Sequence, residues 1–390
     1  MDNIISIKAR EILDSRGDPT VEVELETQNH VKVIASVPSG ASVGSYEVIE
    51  LRDNDQERFG GMGVLKAIEN IKNTIAPAVT GQDVTNQKSI DDTLNQLDGT
   101  PHKSNLGANA ILAVSLAVAK AGAQAKQMPL YKHIAEIAQN PNMKIPLIMF
   151  NFIEGAKHAD NNLQIQEFLA IPEKGSFSEN YRHASEVFHK LKKILQDRNL
   201  GVAVGHEGGF APSLPSDEDA LKLIQEAGKI RMALDLAGVV PNGMNLDEML
   251  SKYPIVSMED PIGEDDWEGW VALTAKISDK CLVVGDDILA TNKDRLKEAI
   301  EKKAVTAVIV KPNQIGTVTE AIEFTKMAKE AGLRTVVSHR SGETEDTFIA
   351  DFAVGVGADF AKIGAPSRGE RVAKYNRLLR IEEELTNNVS

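Results

Sequence analysis

The feature that most restricts the fold of this 390-residue chain is a repeat in its second half. Six short apolar runs recur there, each ending in a polar residue, with spacings of 24, 27, 25, 28 and 23 residues between those polar residues. A period of about 25 residues is what one strand, one helix and two loops occupy in a β/α barrel. The pattern therefore predicts six βα units. The polar residues are Asp235, Glu259, Asp286, Lys311, His339 and Lys362.

Two earlier apolar segments supply the strands that such a barrel still lacks. Residues 145–150 and 163–169 are strand candidates that lie close together, and helical patterns follow near 179–198 and 217–228. Two strands, two helices and six βα units make the eight strands that close a barrel. The predicted fold class is α/β, with a C-terminal β/α barrel in the order ββαα and then six βα units.

The first 140 residues have a different pattern. Residues 3–37 alternate apolar and charged side chains, as in Val21, Val23 and Leu25 against Glu22 and Glu24, which predicts an antiparallel meander with one wet face. A helical pattern follows from residue 63 to residue 140. We therefore predict an N-terminal α+β cap domain at 1–140 and a catalytic barrel domain at 141–390.

Composition excludes several classes of partner. The formal net charge of −14 repels a phosphate backbone, so no nucleic-acid partner is expected. The longest apolar run, residues 110–119, is shorter than the ~20 residues of a membrane span, so no membrane insertion is expected. The single Cys281 cannot form an internal disulfide, and no signal-like segment begins the sequence. These features favour a cytoplasmic protein.

Polar residues at the ends of barrel strands converge on one mouth although they are far apart in sequence. Asp235, Glu259 and Asp286 follow three consecutive strands, and three carboxylates at close quarters repel one another unless a cation neutralises them. Oxygen ligands favour magnesium, manganese or calcium over zinc. For the lone His339, the pattern favours a hydrogen-bonding role.

Two lysines and two glutamates are candidates for proton transfer at the same mouth. Lys311 and Lys362 follow nonadjacent strands, and a lysine beside another cation and a metal has a lowered pKa, as a base requires. The alternative is that both lysines only bind an anionic substrate. Glu167, which we place at the end of the second strand, and Glu207 suit a shared-proton general acid, since like charges raise one pKa.

Two further segments suit an anion. Residues 338–343 place Arg340 and Ser341 just beyond a strand, where a guanidinium can bind a phosphate through two hydrogen bonds. The alternative is a helix N-cap with an incidental arginine. Residues 39–44 are small and rich in glycine and serine, as is typical of a lid or of an anion-binding loop.

At these residues the chain resembles the enolase family along nearly its whole length. The similar motifs stand in the family's order and are long enough to be specific. They are Asp14-Ser15-Arg16-Gly17-Asp18-Pro19-Thr20, Pro38-Ser39-Gly40-Ala41-Ser42, Gly107-Ala108-Asn109-Ala110-Ile111, Lys311-Pro312-Asn313-Gln314-Ile315-Gly316 and Ser338-His339-Arg340-Ser341-Gly342-Glu343-Thr344.

The resemblance implies a phosphopyruvate hydratase, which reversibly dehydrates 2-phospho-D-glycerate to phosphoenolpyruvate in glycolysis and gluconeogenesis. It implies two Mg²⁺ ions per active site, a small phosphorylated carboxylate as substrate, and a homodimer or higher homo-oligomer. The implied catalytic residues are Lys311 as base and Glu207 with Glu167 as acid. The implied metal ligands are Asp235, Glu259, Asp286 and Ser42. The implied substrate-binding residues are His158, Gln166, His339, Arg340, Ser341, Lys362, Gly40 and Ala41.

The chain departs from the family pattern around the pocket. His206 stands where enolases usually have Asp, Val43 interrupts the Ser-Ala-Ser-Thr-like loop, and Glu154-Gly155-Ala156 replaces Asn-Gly-Gly. The loop after Asp235 is shorter than in typical enolases. These changes leave two alternatives open: an enolase paralogue acting on a related phosphorylated or phosphonylated carboxylate, and a noncatalytic enolase-like binding protein.

Overall fold

The computed structural model describes residues 1–41, 44–241 and 243–387. At the N-terminus, β1 (Ile4–Leu13), β2 (Pro19–Thr27) and β3 (Lys32–Ser36) form an antiparallel sheet in that order. Val21, Val23 and Leu25 are fully buried, whereas the alternate glutamates face outward and pair with exposed basic side chains. The predicted antiparallel meander with one solvent-exposed face is confirmed.

Helices cover the buried face of this sheet. α4 (Ala108–Ala125) packs against β2 and β3 and is almost wholly buried. By length and hydropathy this helix is a candidate membrane span, but 83% of it is buried inside the protein, as expected of a core helix. The other cap helices are α1 (Leu65–Asn70), α2 (Ala76–Val79), α3 (Gln87–Asp98) and α5 (Leu130–Ile137), with a π-helical turn at Ile71–Ile75 and a 3₁₀ turn at Phe59–Gly61.

Eight further strands form a closed barrel, as predicted. The last strand pairs with the first, so that Ala361 lies opposite Ile148 and the ring closes. Side chains of Val, Ile, Leu, Met and Ala fill the barrel interior. The strands are β4 (Leu147–Glu154), β5 (Glu167–Ile171), β6 (Arg231–Asp235), β7 (Ile255–Glu259), β8 (Leu282–Gly285), β9 (Ala307–Val310), β10 (Arg334–Ser338) and β11 (Phe360–Gly364).

The second barrel strand runs against the others. β5 is antiparallel to both β4 and β6, and Glu167 begins the strand, so the prediction that it ends the strand was wrong. The segment between β4 and β5 contains one 3₁₀ turn at Ala156–His158, which is too little for the helical crossover that a parallel neighbour needs. Because the strand is reversed, its first residue lies at the mouth where the parallel strands end.

Helices surround the barrel and connect its strands. The two helices predicted between the second and third strands are α6 and α7, and one helix or more follows each later strand. They are α6 (Phe177–Asp197), α7 (Asp217–Ala227), α8 (Leu246–Lys252), α9 (Trp267–Ile277), α10 (Lys293–Lys302), α11 (Pro312–Ile315), α12 (Val318–Glu330), α13 (Phe348–Gly355) and α14 (Gly369–Asn387).

The cap lies against the barrel mouth through polar contacts. The backbone of Ser39 exchanges two hydrogen bonds with Gly342, at 2.7 and 2.9 Å, and Ser15 N donates to Glu343 O at 2.8 Å. Ion pairs such as Lys120–Asp346 and Lys103–Glu320 join the cap to barrel segments. Ser39, at the start of the glycine- and serine-rich segment, is thereby held over the strand ends.

His133 is a buried titratable group that makes stability depend on pH. It is fully buried in α5 and packs on Gly122 of α4, and its ring nitrogens have no hydrogen-bond partner among the described residues. Burial lowers the pKa of His133 to about 4. In the unfolded chain the imidazole of His133 is protonated as the pH falls below about 6.5, whereas in the folded chain it stays neutral until near pH 4. The free energy of unfolding therefore falls as the pH falls below about 6.5.

We expect His133→Met to lose less stability between pH 7.5 and pH 5 than the native chain, by about 2 kcal/mol. Urea unfolding at the two pH values measures this difference. His30→Met is the matched control, because the side chain of His30 is 85% exposed in the folded protein. An equal pH dependence in the native chain and in His133→Met would contradict the argument.

Candidate active site

The barrel mouth holds a polar cavity between the strand ends and the cap. The lining side chains are mostly charged, and most of them are buried. They include every described site residue predicted above except Gly40 and Glu259. The lining residues are Ala41, Lys157, His158, Gln166, Glu167, Glu207, Asp235, Ala237, Asp260, Asp286, Asp287, Ser338, His339, Arg340, Ser341, Lys311 and Lys362.

Lys362 is the centre of a buried carboxylate cluster. Its Nζ lies 2.8 Å from both oxygens of Glu259, 3.3 Å from Glu167 and 3.4 Å from Asp235 Oδ2. Strand register explains this grouping, since Glu167 pairs with Asp235 and Asp235 with Glu259 on adjacent strands. Burial opposes the charge of Lys362, but the three carboxylates outweigh it and hold the pKa of this lysine well above its ordinary range.

Gln166 extends this cluster, because its Nε2 donates to Asp235 Oδ2 at 3.1 Å. Burial, and then the charge of Asp235, raise the pKa of Glu259 to about 8. Two of the three acids predicted as metal ligands are thus brought together around one ammonium group.

Asp286, the third predicted ligand, forms an ion pair with Lys311 and accepts a hydrogen bond from Gln314 at 3.0 Å. The prediction that the pKa of Lys311 is lowered was wrong for this arrangement. Burial does lower the pKa of Lys311, and so do Arg340 and Lys362, but the Asp286 carboxylate outweighs them and the net pKa is raised. The expected lowering assumed that a metal, and not the lysine, neutralises Asp286.

The two predicted acid residues face one histidine. His158 Nδ1 lies 3.4 Å from Glu167 Oε1 and 3.7 Å from Glu207 Oε1. Burial and then the charge of Glu207 raise the pKa of Glu167 well above its ordinary range. Burial acts in the same direction on Glu207, but contacts with His339 and His158 outweigh it and hold the pKa of Glu207 well below its ordinary range. The two carboxyl groups of the pair therefore differ in proton affinity, and Glu167 holds a proton more readily than Glu207 does.

The loop that carries Glu207 is fixed from below by Glu154. The Glu154 carboxylate accepts the backbone N–H groups of Glu207, at 3.0 Å, and of Gly209, at 2.5 Å. Gly205 allows this close approach, because a Cβ there would lie 2.3 Å from Glu154 Oε2. The departure from the family's Asn at residue 154 thus has a visible structural role.

Arg340 and Ser341 form the wall that faces the cap. Arg340 is buried and pairs with Glu47 at 2.7 and 3.2 Å. Ser341 Oγ accepts the backbone N–H of Ala41 at 2.8 Å. Gly40 N lies 3.3 Å from Glu50 Oε1, outside the cavity lining. The structure therefore brings Ala41 to the mouth together with the predicted anion site.

Ser42 and Val43 lie outside the described residues. The chain beyond them is joined to the barrel by Ser45 Oγ, which donates to Glu264 at 2.6 Å, and by Tyr46 OH, which donates to Asp265 at 2.5 Å. The guanidinium of Arg295 stacks on the Tyr46 ring at 3.4 Å. The segment after the predicted second-metal ligand is thus tied to the loop that follows β7.

The described residues fit a divalent cation. The candidate ligands are carboxylates on three consecutive strands, and no nitrogen or sulfur ligand stands among them. Nearby, oxygens of Asp260, Asp286 and Asp287 lie within 4.8 Å of one another. Buried acids outnumber the lysines at this mouth, and their raised pKa values indicate that a further positive charge would stabilise them.

Several residues of this site escaped the predictions from sequence. Glu47 pairs with Arg340, Asp260 accepts the N–H groups of Asp286 and Asp287, Asn151 donates to Glu207, and Arg371 contacts His339. No repeat, strand-end pattern or loop composition marks these residues in the sequence, with one exception. For Asp260 a signal was present, since it directly follows the strand-ending Glu259.

The fold and the site define a class: a capped β/α-barrel enzyme with one reversed strand and a mouth of buried acids and lysines. The family model for the enolase C-terminal TIM barrel domain matches residues 142–239 and 243–390, and the model for the enolase N-terminal domain matches residues 4–134. The chain is 49% identical over 418 aligned positions to an enolase of Desulfotalea psychrophila, covering 99% of this chain and 98% of that relative. The chain belongs to the enolase family.

Membership of this family confirms the predicted fold and enzyme class, which is a carbon–oxygen lyase of the phosphopyruvate hydratase type. The match to the C-terminal model is interrupted at residues 240–242, in the loop after β6. Just before this interruption, Ala237 and Gly238 adopt positive φ angles of 49° and 83°, as in a tight turn.

We expect Lys362→Met to destabilise the metal-free protein by about 3–5 kcal/mol, because it leaves Glu259, Asp235 and Glu167 without their buried counter-charge. Added Mg²⁺ should restore part of this loss, since a cation that binds only the folded state stabilises it. Urea unfolding with and without Mg²⁺ measures both effects. Lys157→Met is the control, because Lys157 is an exposed lysine of the same mouth. If Lys362→Met lost no more stability than this control, Lys362 would not be the counter-charge of the three acids.

Proposed function

We propose that this chain catalyses the reversible dehydration of 2-phospho-D-glycerate to phosphoenolpyruvate. The observation that carries the proposal is the position of Lys311 and Glu167 on opposite walls of one buried mouth. Lys311 directly follows β9 and Glu167 begins β5, and these strands are four apart in a ring of eight. A base on one wall and an acid on the other suit a reaction that removes a proton from one carbon and a hydroxyl group from the next.

Lys311 is the proposed base. In the ion pair with Asp286 its pKa is raised, so a free amine requires that Asp286 be engaged elsewhere. Once Asp286 serves as a cation ligand, Lys311 faces the positive charges of Lys362 and Arg340, both of which lower its pKa. Lys311 Nζ then accepts the proton from the carbon next to the substrate carboxylate.

Glu167 and Glu207 are the proposed acid pair. The proton donor must be the protonated carboxyl group of the pair. The raised pKa of Glu167 supports Glu167 as the residue that carries this proton between turnovers. When the hydroxyl group leaves, the pair supplies the proton that converts it to water. His158 and Gln166 line the same wall and are proposed to orient the substrate.

The remaining site residues are proposed to hold the two anionic ends of the substrate. Lys362 is the proposed partner of the substrate carboxylate, while Arg340 and Ser341 bind the phosphate, with Gly40 and Ala41 closing over it. His339 completes the wall beside Glu207. Arg340 forms an ion pair with Glu47, so it must either bind the phosphate while keeping this ion pair or break the ion pair when the phosphate binds.

Asp235, Glu259 and Asp286 would hold one Mg²⁺, and Ser42 would contribute to a second, so the proposal includes two such ions per active site. When bound, the metal supplies positive charge next to the substrate carboxylate, where a second negative charge develops as the proton leaves, as is general in the enolase superfamily. For this chain's own residues, metal binding has two requirements. The three acids must be deprotonated, and Lys362 must release Glu259.

We expect Lys311→Ala to lower turnover at least about 100-fold while the fold and Mg²⁺ binding remain. Exchange of the carbon-bound proton of the substrate with solvent, followed by NMR in D₂O, should vanish as well. Lys303→Ala is the control, because Lys303 is exposed and precedes the start of the same strand. Persistent exchange in Lys311→Ala would show that another group is the base.

We expect chelation to abolish formation of the enol product, followed by its ultraviolet absorbance, and added Mg²⁺ to restore it. Asp235→Asn, Glu259→Gln and Asp286→Asn should each weaken Mg²⁺ binding at least about tenfold in calorimetry, because ligand charge sets the affinity of oxygen sites. The exposed Asp294→Asn serves as control. Unchanged Mg²⁺ affinity in all three variants would exclude these acids as ligands.

One observation favours a second candidate, a paralogue that acts on a related phosphorylated or phosphonylated carboxylate. His206 is exposed at the mouth, and its ring centroid lies 6.2 Å from that of His158, where the family usually has an acid. Comparing turnover of 2-phosphoglycerate with that of phosphonate analogues decides between the two. Folded protein that turns over none of them would favour a noncatalytic binding protein.

The setting of the reaction is also proposed from the family. We propose a place in glycolysis and gluconeogenesis in the cytoplasm, and assembly into a homodimer or a higher homo-oligomer. Light scattering coupled to size-exclusion chromatography measures the assembly directly.

A further inference from the structure

Arg371 is a buried cation that the proposed chemistry does not use. It lies in the first turn of α14 with no exposed area, and its guanidinium reaches two segments of the mouth. It donates to the carbonyl oxygens of Arg340 at 2.8 Å, Ser341 at 2.7 Å and His206 at 3.1 Å. Its NH1 group also lies 2.6 Å from His339 Nδ1.

The contact with His339 defines a tautomer. A guanidinium carries only donors and keeps its proton at any ordinary pH, so the ring nitrogen that faces it must be the acceptor. Nδ1 of His339 is therefore unprotonated, and a neutral ring then carries its proton on Nε2. Nε2 lies 3.0 Å from Glu207 Oε2, and it forms no regular hydrogen bond with a described residue, so Glu207 is the acceptor that neighbours the Nε2–H group.

This tautomer determines what His339 offers to the acid pair. The Nε2–H group presents a donor, and never a lone pair, to the Glu207 carboxylate. Asn151 Nδ2 adds a second donor to the same oxygen at 3.2 Å. Hydrogen bonds to the charged form of a carboxylate favour that form, so Glu207 is stabilised as the anion. The proton that Glu167 and Glu207 share therefore lies on Glu167.

We propose that Arg371 is a positioning residue that holds His339 as the neutral Nε2–H tautomer, so that His339 donates to Glu207 and the shared proton of the pair rests on Glu167. The significance of this arrangement for turnover rests on the proposed function, in which Glu167 and Glu207 are the acid pair. The tautomer itself does not depend on that function.

The surrounding charges agree with this assignment. Burial lowers the pKa of His339 to about 4, so the ring is neutral throughout the physiological range. Glu207 and Glu343 act in the opposite direction, and Arg371 acts with burial. Without Arg371 both carboxylates would remain, and protonation of Nδ1 would no longer be opposed by a guanidinium at 2.6 Å.

The first test uses the native chain and needs no substrate. In protein with ¹⁵N-labelled histidine rings, two-dimensional NMR distinguishes the two neutral tautomers and the imidazolium form, and the His339 signals are assigned by their loss in His339→Gln. We expect a neutral Nε2–H ring for His339 at neutral pH and across the physiological range. A ring protonated on Nδ1, or an imidazolium form at neutral pH, overturns the proposal.

The second test asks whether Arg371 is the cause. In Arg371→Met we expect His339 to titrate at a higher pH than in the native chain, and turnover to fall about 10- to 100-fold, as is typical when a residue supporting a catalytic group is removed. Arg371→Lys keeps a cation and a donor, and we expect it to recover part of both effects. An unchanged tautomer and an unchanged titration in folded Arg371→Met overturn the proposal.

Lys374→Met is the matched control. Lys374 is an equally buried cation in the next turn of α14, but it donates to Thr344 O at 2.9 Å and pairs with Glu343 at 2.9 Å, without contacting His339. We expect this variant to be less stable while His339 keeps its tautomer. A shift of the His339 titration as large as in Arg371→Met would show that the effect is not specific to Arg371 and would overturn its role.

The two tests separate this proposal from the proposed function. If the native protein shows the Nε2–H tautomer but does not turn over 2-phosphoglycerate, the proposed function is wrong and the tautomer assignment stands. If the protein is active but His339 has the Nδ1–H tautomer, the proposed function stands and the proposed role of Arg371 is wrong.

Discussion

The excess of buried carboxylates at the barrel mouth is the constraint on which the site depends. Glu259, Asp235 and Glu167 surround Lys362, and Asp286 pairs with Lys311, so both lysines are occupied as counter-ions. A buried charge without a partner is far more costly than a paired one. The same two ammonium groups thus neutralise buried acids, and in the proposed function they act on the substrate once a cation takes their place beside those acids.

Much of the barrel was predictable because its strands repeat with a regular period and end in polar residues. The apolar runs before Asp235 and Glu259 correspond to β6 and β7 with the predicted ends. Convergence of these residues then follows from closure of the ring alone. The direction of β5 was not predictable from the same pattern, because alternation along a strand is identical in both directions. Only the short connection after β4 carried that information.

The supporting residues of the site were harder to predict for a physical reason. Arg371 in the last helix and Glu47 in the cap act through contacts with residues that are distant in the sequence, and no local periodicity marks such contacts. The protonation states were equally hidden. Lys311 was expected to be poised as a base, but its pKa depends on whether Asp286 faces the lysine or a metal, and sequence cannot specify which partner is present.

The pairing of the last barrel strand with the first has a consequence for how the protein is made. β11 joins β4 at Ala361 and Ile148, residues that lie far apart along the chain. During synthesis one edge of β4 therefore stays unpaired until nearly the entire chain has left the ribosome, although β4 and the strands after it can pair in order. Contacts of such large sequence separation form slowly. The N-terminal sheet and its helices, which pair among themselves, are free to fold long before the enzyme has any site at all.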